Sequence, residues 1–96
     1  DFAVFKNLQD LPFAMTAHVI YTALDSDLPV SVSPRGINYI RKELGFKGLI
    51  MSDDINMKAL KGSLSAISTQ VLEAGCDLLL HCSGDIDEMR EVIKSI

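Results

Sequence analysis

Hydrophobic residues occur in short continuous runs that alternate with longer segments of helical spacing. The runs lie at 13–18, 47–52 and 77–82, and the second has an apolar centre without polar alternation, as expected for a parallel strand covered on both faces. Each run is followed by a segment in which apolar residues recur every three or four positions. The pattern therefore predicts three strands, each followed by a helix. The first helix is predicted over 34–44, the second from about Leu64 to Gly75, and the third from Asp85 onward.

Polar and glycine residues at the ends of these segments support the helix boundaries. Ser33 is a typical N-cap, and Pro34 follows it at the first helical position. Gly45 stands where a left-handed residue closes a helix. Asp85 and Glu88 have the spacing of a capping box. The predicted helices thus carry their own start and stop residues.

Strands that alternate with helices indicate an α/β fold. Parallel neighbours need a long crossover, and a helix supplies it with right-handed geometry. Three such units leave an unpaired strand edge on both sides of the sheet. The sequence therefore predicts three parallel βα units that form part of a larger sheet.

Composition and charge exclude several functional classes. The chain has 96 residues with 48% hydrophobic and 23% charged side chains. No apolar run approaches the roughly 18 residues that a transmembrane helix needs, so no membrane association is expected. The net charge is −4 and the basic residues are not clustered, which argues against a nucleic-acid partner. The start of the chain does not have the pattern of a secretion signal, which favours a cytoplasmic location.

The two cysteines flank the third predicted strand. A strand of six residues would separate Cys76 from Cys82 by about 20 Å, whereas a disulfide needs less than about 7 Å. Their spacing also does not match the pairs that usually bind zinc. We therefore predict two buried, reduced thiols, which also fits a cytoplasmic location.

Candidate functional residues follow the strands, because α/β proteins place their sites at the C-terminal ends of strands. Asp53 and Asp54 directly follow the second predicted strand, and two adjacent carboxylates are costly to bury unless they are hydrogen-bonded or used. Strand alternation assigns them to opposite faces: Asp53 shares a face with Met51, and Asp54 with Ile50 and Ser52. From spacing alone, one aspartate could equally cap the next segment while the other is solvated.

Two histidines also end predicted strands. With Asp53 or Asp54, His18 and His81 could suggest a metal site, but their long spacing imposes no geometry. A single histidine at a strand end more often makes structural hydrogen bonds. His18 is kept as a candidate for substrate binding. Tyr21 either packs on a ligand or covers the rim of the site.

The run at 40–56, IRKELGFKGLIMSDDIN, resembles the active-site signature of family 3 glycoside hydrolases. In that signature a basic and an acidic helix residue precede a glycine, three apolar residues, Ser or Thr, and the nucleophilic aspartate. The upstream run MTAHV at 15–19 and the downstream run AGCD at 74–77 resemble the β-N-acetylhexosaminidase branch. Family β-glucosidases usually have Trp after the nucleophile, where this chain has Asp54. Tyr39 departs from the aliphatic residue usual at its position.

This resemblance implies both a fold and an activity. The three βα units would be the last part of a (β/α)8 TIM barrel, with residues 1–96 forming the C-terminal fragment of one catalytic domain. Asp53 would be the nucleophile of a retaining β-N-acetylhexosaminidase that removes terminal β-linked N-acetylglucosamine from muropeptides in cytoplasmic cell-wall recycling. The resemblance implies no cofactor and no metal. It also implies that the acid/base and sugar-holding residues precede Asp1, so that the fragment alone is inactive and needs the missing N-terminal part of the barrel.

Two other interpretations belong to different classes. A small regulatory or binding module with a doubly wound sheet would use Asp53 and Asp54 to hold a divalent cation. Such a module needs further strands and a lysine beyond a later strand, which this chain does not clearly supply. A structural remnant without activity is the third interpretation.

Overall fold

In the computed structural model, which describes residues 2–96, strands and helices alternate as predicted. The strands are β1 (Phe13–Met15), β2 (Leu49–Asp54) and β3 (Leu78–Leu80), and the helices are α1 (Pro34–Lys42), α2 (Leu64–Ala74) and α3 (Ile86–Ser95). Two 3-10 segments, Phe2–Leu8 and Val30–Val32, lie in the connections before β1 and α1.

The strands form one parallel sheet in the order β1-β2-β3. This confirms the predicted α/β class and places Asp53 and Asp54 at the end of the middle strand. The predicted boundaries need correction. The chain leaves β1 after the backbone hydrogen bond from Thr16 N–H to Met51 O, so β1 is shorter than 13–18. β2 starts later than 47 and extends through both aspartates, because Ile55 N–H still donates to Leu80 O at 2.9 Å.

The predicted caps close the helices. The Ser33 hydroxyl accepts from Gly36 N–H at 2.9 Å. α1 ends before the predicted residue 44, and Phe46 N–H donates back to Ile40 O across Gly45, whose φ is +70°. At α3 only half of the capping box forms. The Asp85 carboxylate accepts from the N–H groups of Asp87 and Glu88, but the Asp85 N–H donates to a serine hydroxyl instead of to Glu88.

The two faces of the sheet differ in burial. Ile50 is 0% exposed, and the hydrophobic core extends from it across α1 and α2 through Ile37, Ile67 and Val71. Leu49, one residue earlier, is 43% exposed. Its register partner Phe13 is also exposed, as are Met15 and Leu78 on the same face. Within residues 2–96, helices thus cover one face of the sheet and leave the other apolar face open.

The guanidinium of Arg41 joins α1 to two strands. It donates to the backbone carbonyls of Phe46 and Gly48, the latter at 2.6 Å, and to the Asp77 carboxylate at 2.6 Å. The same Asp77 oxygen accepts from Ile50 N–H at 2.9 Å. This bridge fixes the start of β2 against the start of β3.

The loop after β1 is held by a buried carboxylate. Asp25 accepts from the N–H groups of Asp27 and Leu28 and from the Ser33 hydroxyl. These hydrogen bonds, with that of Asp27 first, hold the pKa of Asp25 below its ordinary value despite the opposing effect of desolvation. The loop thus holds Ser33, and with it the preceding Ser31, in a buried position.

Candidate active site

A break in regular strand pairing occurs at the two aspartates. Between Met51 and Asp54 the chain advances three residues, while the paired segment of β3 from Leu78 to Leu80 advances two. The extra residue makes a β-bulge, a feature common beside active sites because it re-aims side chains. Ser52, fully buried in the bulge, accepts from Leu80 N–H at 3.1 Å through its hydroxyl.

The Asp54 carboxylate has a structural role. Its Oδ1 accepts from Cys82 N–H at 3.0 Å and from Asn56 N–H at 3.1 Å. The first bond ties the end of β2 to the loop after β3, and the second closes a turn beyond β2. Asp54 therefore provides the capping function that the spacing alone could not assign to either aspartate.

Asp53 is different, because its carboxylate is used much less by the protein. Its Oδ1 accepts from Asp54 N–H at 2.8 Å, and no other hydrogen bond to its carboxylate occurs within residues 2–96. The side chain is half-buried. The Asp53 carboxylate thus makes only a local hydrogen bond, whereas that of Asp54 connects two loops at the strand ends.

The His18 ring already has protein partners on both sides. The residue is buried, with Nδ1 2.8 Å from the Ser31 hydroxyl and Nε2 2.8 Å from the carbonyl oxygen of Asp54. The Ser31 hydroxyl lies 2.6 Å from that of Thr16. The structure brings His18 to the site through the Asp54 backbone, while its contact with substrate remains a prediction. Ser31 was not singled out from the sequence, since it occurs in a polar loop without a distinctive motif.

His81 lies on the other side of the site and is also enclosed by protein. Its Nε2 is 3.2 Å from the Ser83 hydroxyl and 3.5 Å from the Glu88 carboxylate. Within the described part of the chain, no three His, Cys, Asp or Glu side chains are grouped as ligands for a metal ion. The structure therefore does not assemble the two histidines and the aspartates into a common metal centre.

The cysteine prediction is half correct. Both thiols are free, but only Cys76 is buried and Cys82 is exposed. Cys82 is exposed because β3 ends at Leu80 instead of continuing to residue 82. Desolvation raises the pKa of the Cys76 thiol to about 11.

Tyr21 packs on the protein rather than toward the aspartates. Its ring meets that of Phe2 edge-on, with centroids 5.1 Å apart. Both rings line an apolar cleft of about 350 Å³ formed mainly by the first 3-10 segment, β1 and α1. Neither Asp53 nor Asp54 lines this cleft, so it is separate from the candidate site. None of the helices described in residues 2–96 has the length and hydrophobicity needed to cross a bilayer.

Comparison with known proteins identifies the family of the chain. The family model described as the glycosyl hydrolase family 3 N terminal domain matches residues 1–96. The chain belongs to glycoside hydrolase family 3. This confirms the resemblance seen in the run at 40–56 and sets aside the doubly wound regulatory module.

Individual family 3 proteins give the same result. A beta-hexosaminidase from Nitrosomonas eutropha is 39% identical over 101 residues, which cover 100% of this chain and 28% of that protein. The solved family 3 beta-N-acetylglucosaminidase of Paenibacillus sp. str. FPU-7 superposes with a TM-score of 0.83 at 27% identity, over 92% of this chain and 17% of its own. Native NagZ from Neisseria gonorrhoeae superposes with a TM-score of 0.77 at 30% identity, over 98% of this chain and 26% of its own.

Two conclusions follow for the family 3 chain. Its three parallel βα units have the TIM-barrel-like fold of these relatives, as predicted. The chain also spans only about a quarter of the length of the curated relatives that it matches, 28% in the first case.

Proposed function

We propose that these residues are part of a retaining β-N-acetylhexosaminidase in which Asp53 is the nucleophile. The observation that carries this proposal is the contrast between the two aspartates: Asp54 Oδ1 holds two N–H groups, one of them in the loop after β3, whereas Asp53 Oδ1 accepts only from the N–H of the next residue. TIM-barrel enzymes have their catalytic groups at the C-terminal ends of strands, where Asp53 lies. The names of the family 3 relatives, beta-hexosaminidase and beta-N-acetylglucosaminidase, support the proposed activity.

The chemistry requires a carboxylate in this position. A carboxylate oxygen of Asp53 attacks the anomeric carbon as the bond to the leaving oxygen breaks, and a general acid protonates that leaving oxygen. Water then hydrolyses the glycosyl-enzyme ester with retention of configuration. The hydrogen bond from Asp54 N–H to Asp53 Oδ1 restricts rotation of the carboxylate, so the attacking oxygen needs little reorganisation.

The proposed substrate is a saccharide with a terminal, non-reducing β-linked N-acetylglucosamine. The beta-hexosaminidase and beta-N-acetylglucosaminidase names of the relatives support this sugar. We further propose muropeptides of cytoplasmic cell-wall recycling as the natural source of the substrate.

We also propose that the acid/base and sugar-holding residues belong to the preceding part of the same TIM barrel. β1–β3 would be strands six to eight, and residues 1–96 the C-terminal part of one catalytic domain. The open apolar face of Phe13, Met15, Leu49 and Leu78 supports this arrangement, because exposed apolar patches on a sheet indicate missing packing partners. The greater length of the relatives supports it as well.

A matched pair of substitutions in the full-length enzyme tests the nucleophile. Asp53→Asn should reduce kcat at least about a thousandfold, because an amide cannot form the glycosyl ester. Asp54→Asn should retain most activity, because its amide oxygen still accepts from Cys82 and Asn56 N–H. The measurement is hydrolysis of an aryl N-acetyl-β-glucosaminide, with circular dichroism to confirm folding.

A trapping experiment identifies the attacking residue directly. A fluorinated N-acetylglucosamine analogue that accumulates the intermediate should add its mass to Asp53, as located by peptide fragmentation. Label on Asp54, or hydrolysis with inversion and no adduct, would overturn the assignment. If both asparagine variants are folded but inactive, the residue that carries the adduct in the wild-type enzyme identifies the nucleophile.

A further inference from the structure

We propose that His18 is a positioning residue for the nucleophile Asp53. It acts by holding the peptide unit between Asp54 and Ile55 from the β1 side of the sheet. The inference rests on the proposed function, since positioning has meaning only if Asp53 attacks the sugar. Its basis is a buried chain of hydrogen bonds that leads from the loop after β1 to the carbonyl of Asp54.

The peptide unit that joins Asp54 to Ile55 is held at both ends. Its carbonyl oxygen lies 2.8 Å from His18 Nε2. Its N–H donates to Leu80 O on β3 at 2.9 Å. The loop after β1 and the end of β3 therefore hold this peptide from opposite sides of β2, one residue after the nucleophile.

The bulge makes such support necessary. Regular strand pairing is interrupted between Met51 and Asp54, and Ser52 accepts from Leu80 N–H in place of a backbone carbonyl. A strand end without its regular ladder can shift, and a shift of about 1 Å at a reacting group can cost about a hundredfold in rate. The hydrogen bond from His18 restrains the backbone at Asp54, where the regular pairing of β2 with β3 is interrupted.

The partners of His18 fix which ring nitrogen carries hydrogen. A carbonyl oxygen only accepts, so Nε2 must be the donor to Asp54 O. In the neutral ring Nδ1 then accepts from the Ser31 hydroxyl, which in turn accepts from the Thr16 hydroxyl. Ser31 is 0% exposed and Thr16 is also buried, so water does not compete readily for these bonds.

Three substitutions at His18 in the full-length enzyme separate its two bonds. Gln presents an Nε2 donor about as far from the backbone as that of His and can reach Asp54 O. Asn is shorter and can replace only the Nδ1 contact with Ser31, while Ala replaces neither. The control is Glu73→Gln, an exposed position on α2 far from this chain of hydrogen bonds in sequence.

The expected result is a selective rescue of kcat. His18→Gln should stay within about tenfold of wild type, whereas His18→Asn and His18→Ala should lose about a hundredfold with little change in KM. The rate constant for trapping Asp53 with the fluorinated analogue should fall in parallel, because it reports the attack itself. Thermal unfolding of each variant separates this effect from loss of fold.

Three results would overturn the positioning role. One is wild-type kcat in His18→Ala. Another is rescue by Asn but not by Gln, which would make His18 an anchor for Ser31 alone. The third is a loss confined to KM, which would indicate direct substrate contact. If wild-type enzyme neither hydrolyses the substrate nor forms the adduct, the proposed function fails first and the positioning role fails with it.

A measurement on the wild-type protein keeps the proposal falsifiable if the variants do not fold. Long-range ¹H–¹⁵N correlation spectra of histidine-labelled protein should show hydrogen on Nε2 of His18. A ring with hydrogen on Nδ1 only would contradict the bond to Asp54 O and with it the positioning role.

Discussion

At the scale of single residues, the neighbouring backbone donors decide what each polar side chain does. Asp53 and Asp54 are adjacent and identical, yet Cys82 and Asn56 direct their N–H groups to Asp54 alone. A carboxylate bonded in this way serves the fold, and one without such donors remains available for chemistry. The same holds for the thiols, where the Cys76 side chain lies in the core beside Ser31 and that of Cys82 faces solvent.

The two cysteines should therefore differ in reactivity toward iodoacetamide. At pH 8 a thiol with a pKa of about 11 is ionised in only about one molecule in a thousand, and the thiolate is the reactive form. Native protein should be alkylated at Cys82 at least about tenfold faster than at Cys76, as followed by peptide mass spectrometry. In urea the two rates should converge. Equal rates in native protein would contradict the buried position of Cys76.

At the scale of elements, Arg41 shows how helix and strands are joined at the end of the sheet opposite the site. Its guanidinium reaches backbone carbonyls before β2 and the carboxylate of Asp77 before β3. Lysine carries the same charge but lacks the planar fork that makes several directed bonds at once. The connection thus depends on geometry more than on charge.

Arg41→Lys should lower the stability of the full-length protein by about 1–3 kcal/mol, because at least one buried or half-buried acceptor loses its partner. Arg90→Lys is the matched control. Arg90 only meets Asp87 at 3.5 Å on the exposed face of α3, a pair worth less than about 1 kcal/mol. Thermal or urea unfolding measures both variants. A similar loss in the two would show that Arg41 acts as an ordinary surface charge.

At the scale of the whole molecule, one face of the sheet is buried and the other is exposed. α1 and α2 bury the face of Ile50, while the face of Leu49 and Phe13 stays open within the described residues. β1 and β3 each have a neighbour on one side only in the described sheet. In the proposed enzyme, the remaining strands of the barrel cover this face and these edges.

The 96-residue chain by itself should therefore show no turnover of an aryl N-acetyl-β-glucosaminide. A general acid is worth about a hundred- to ten-thousand-fold, and the proposal assigns that group to the preceding part of the barrel. Full-length enzyme is the positive control in the same assay. Turnover by the purified chain that disappears in Asp53→Asn would show that the chain holds a complete site.

The sequence determined the order and class of the elements through local effects. Apolar periodicity, N-caps and a left-handed glycine act within a few positions along the chain. The N-caps Ser33 and Asp85 and the left-handed Gly45 were found where predicted, while the ends of several elements were not. The family signature at 40–56 likewise gave the family and its candidate nucleophile, because contiguous residues carry it.

Tertiary structure decided what depends on residues far apart in sequence. β2 extends to Asp54 because Ile55 N–H donates to Leu80 O, and β3 stops early enough to expose Cys82. The structural role of Asp54 and the link from His18 to its carbonyl span 28 and 36 residues. No local pattern encodes such bonds, since they form only when the sheet brings the three strand ends together.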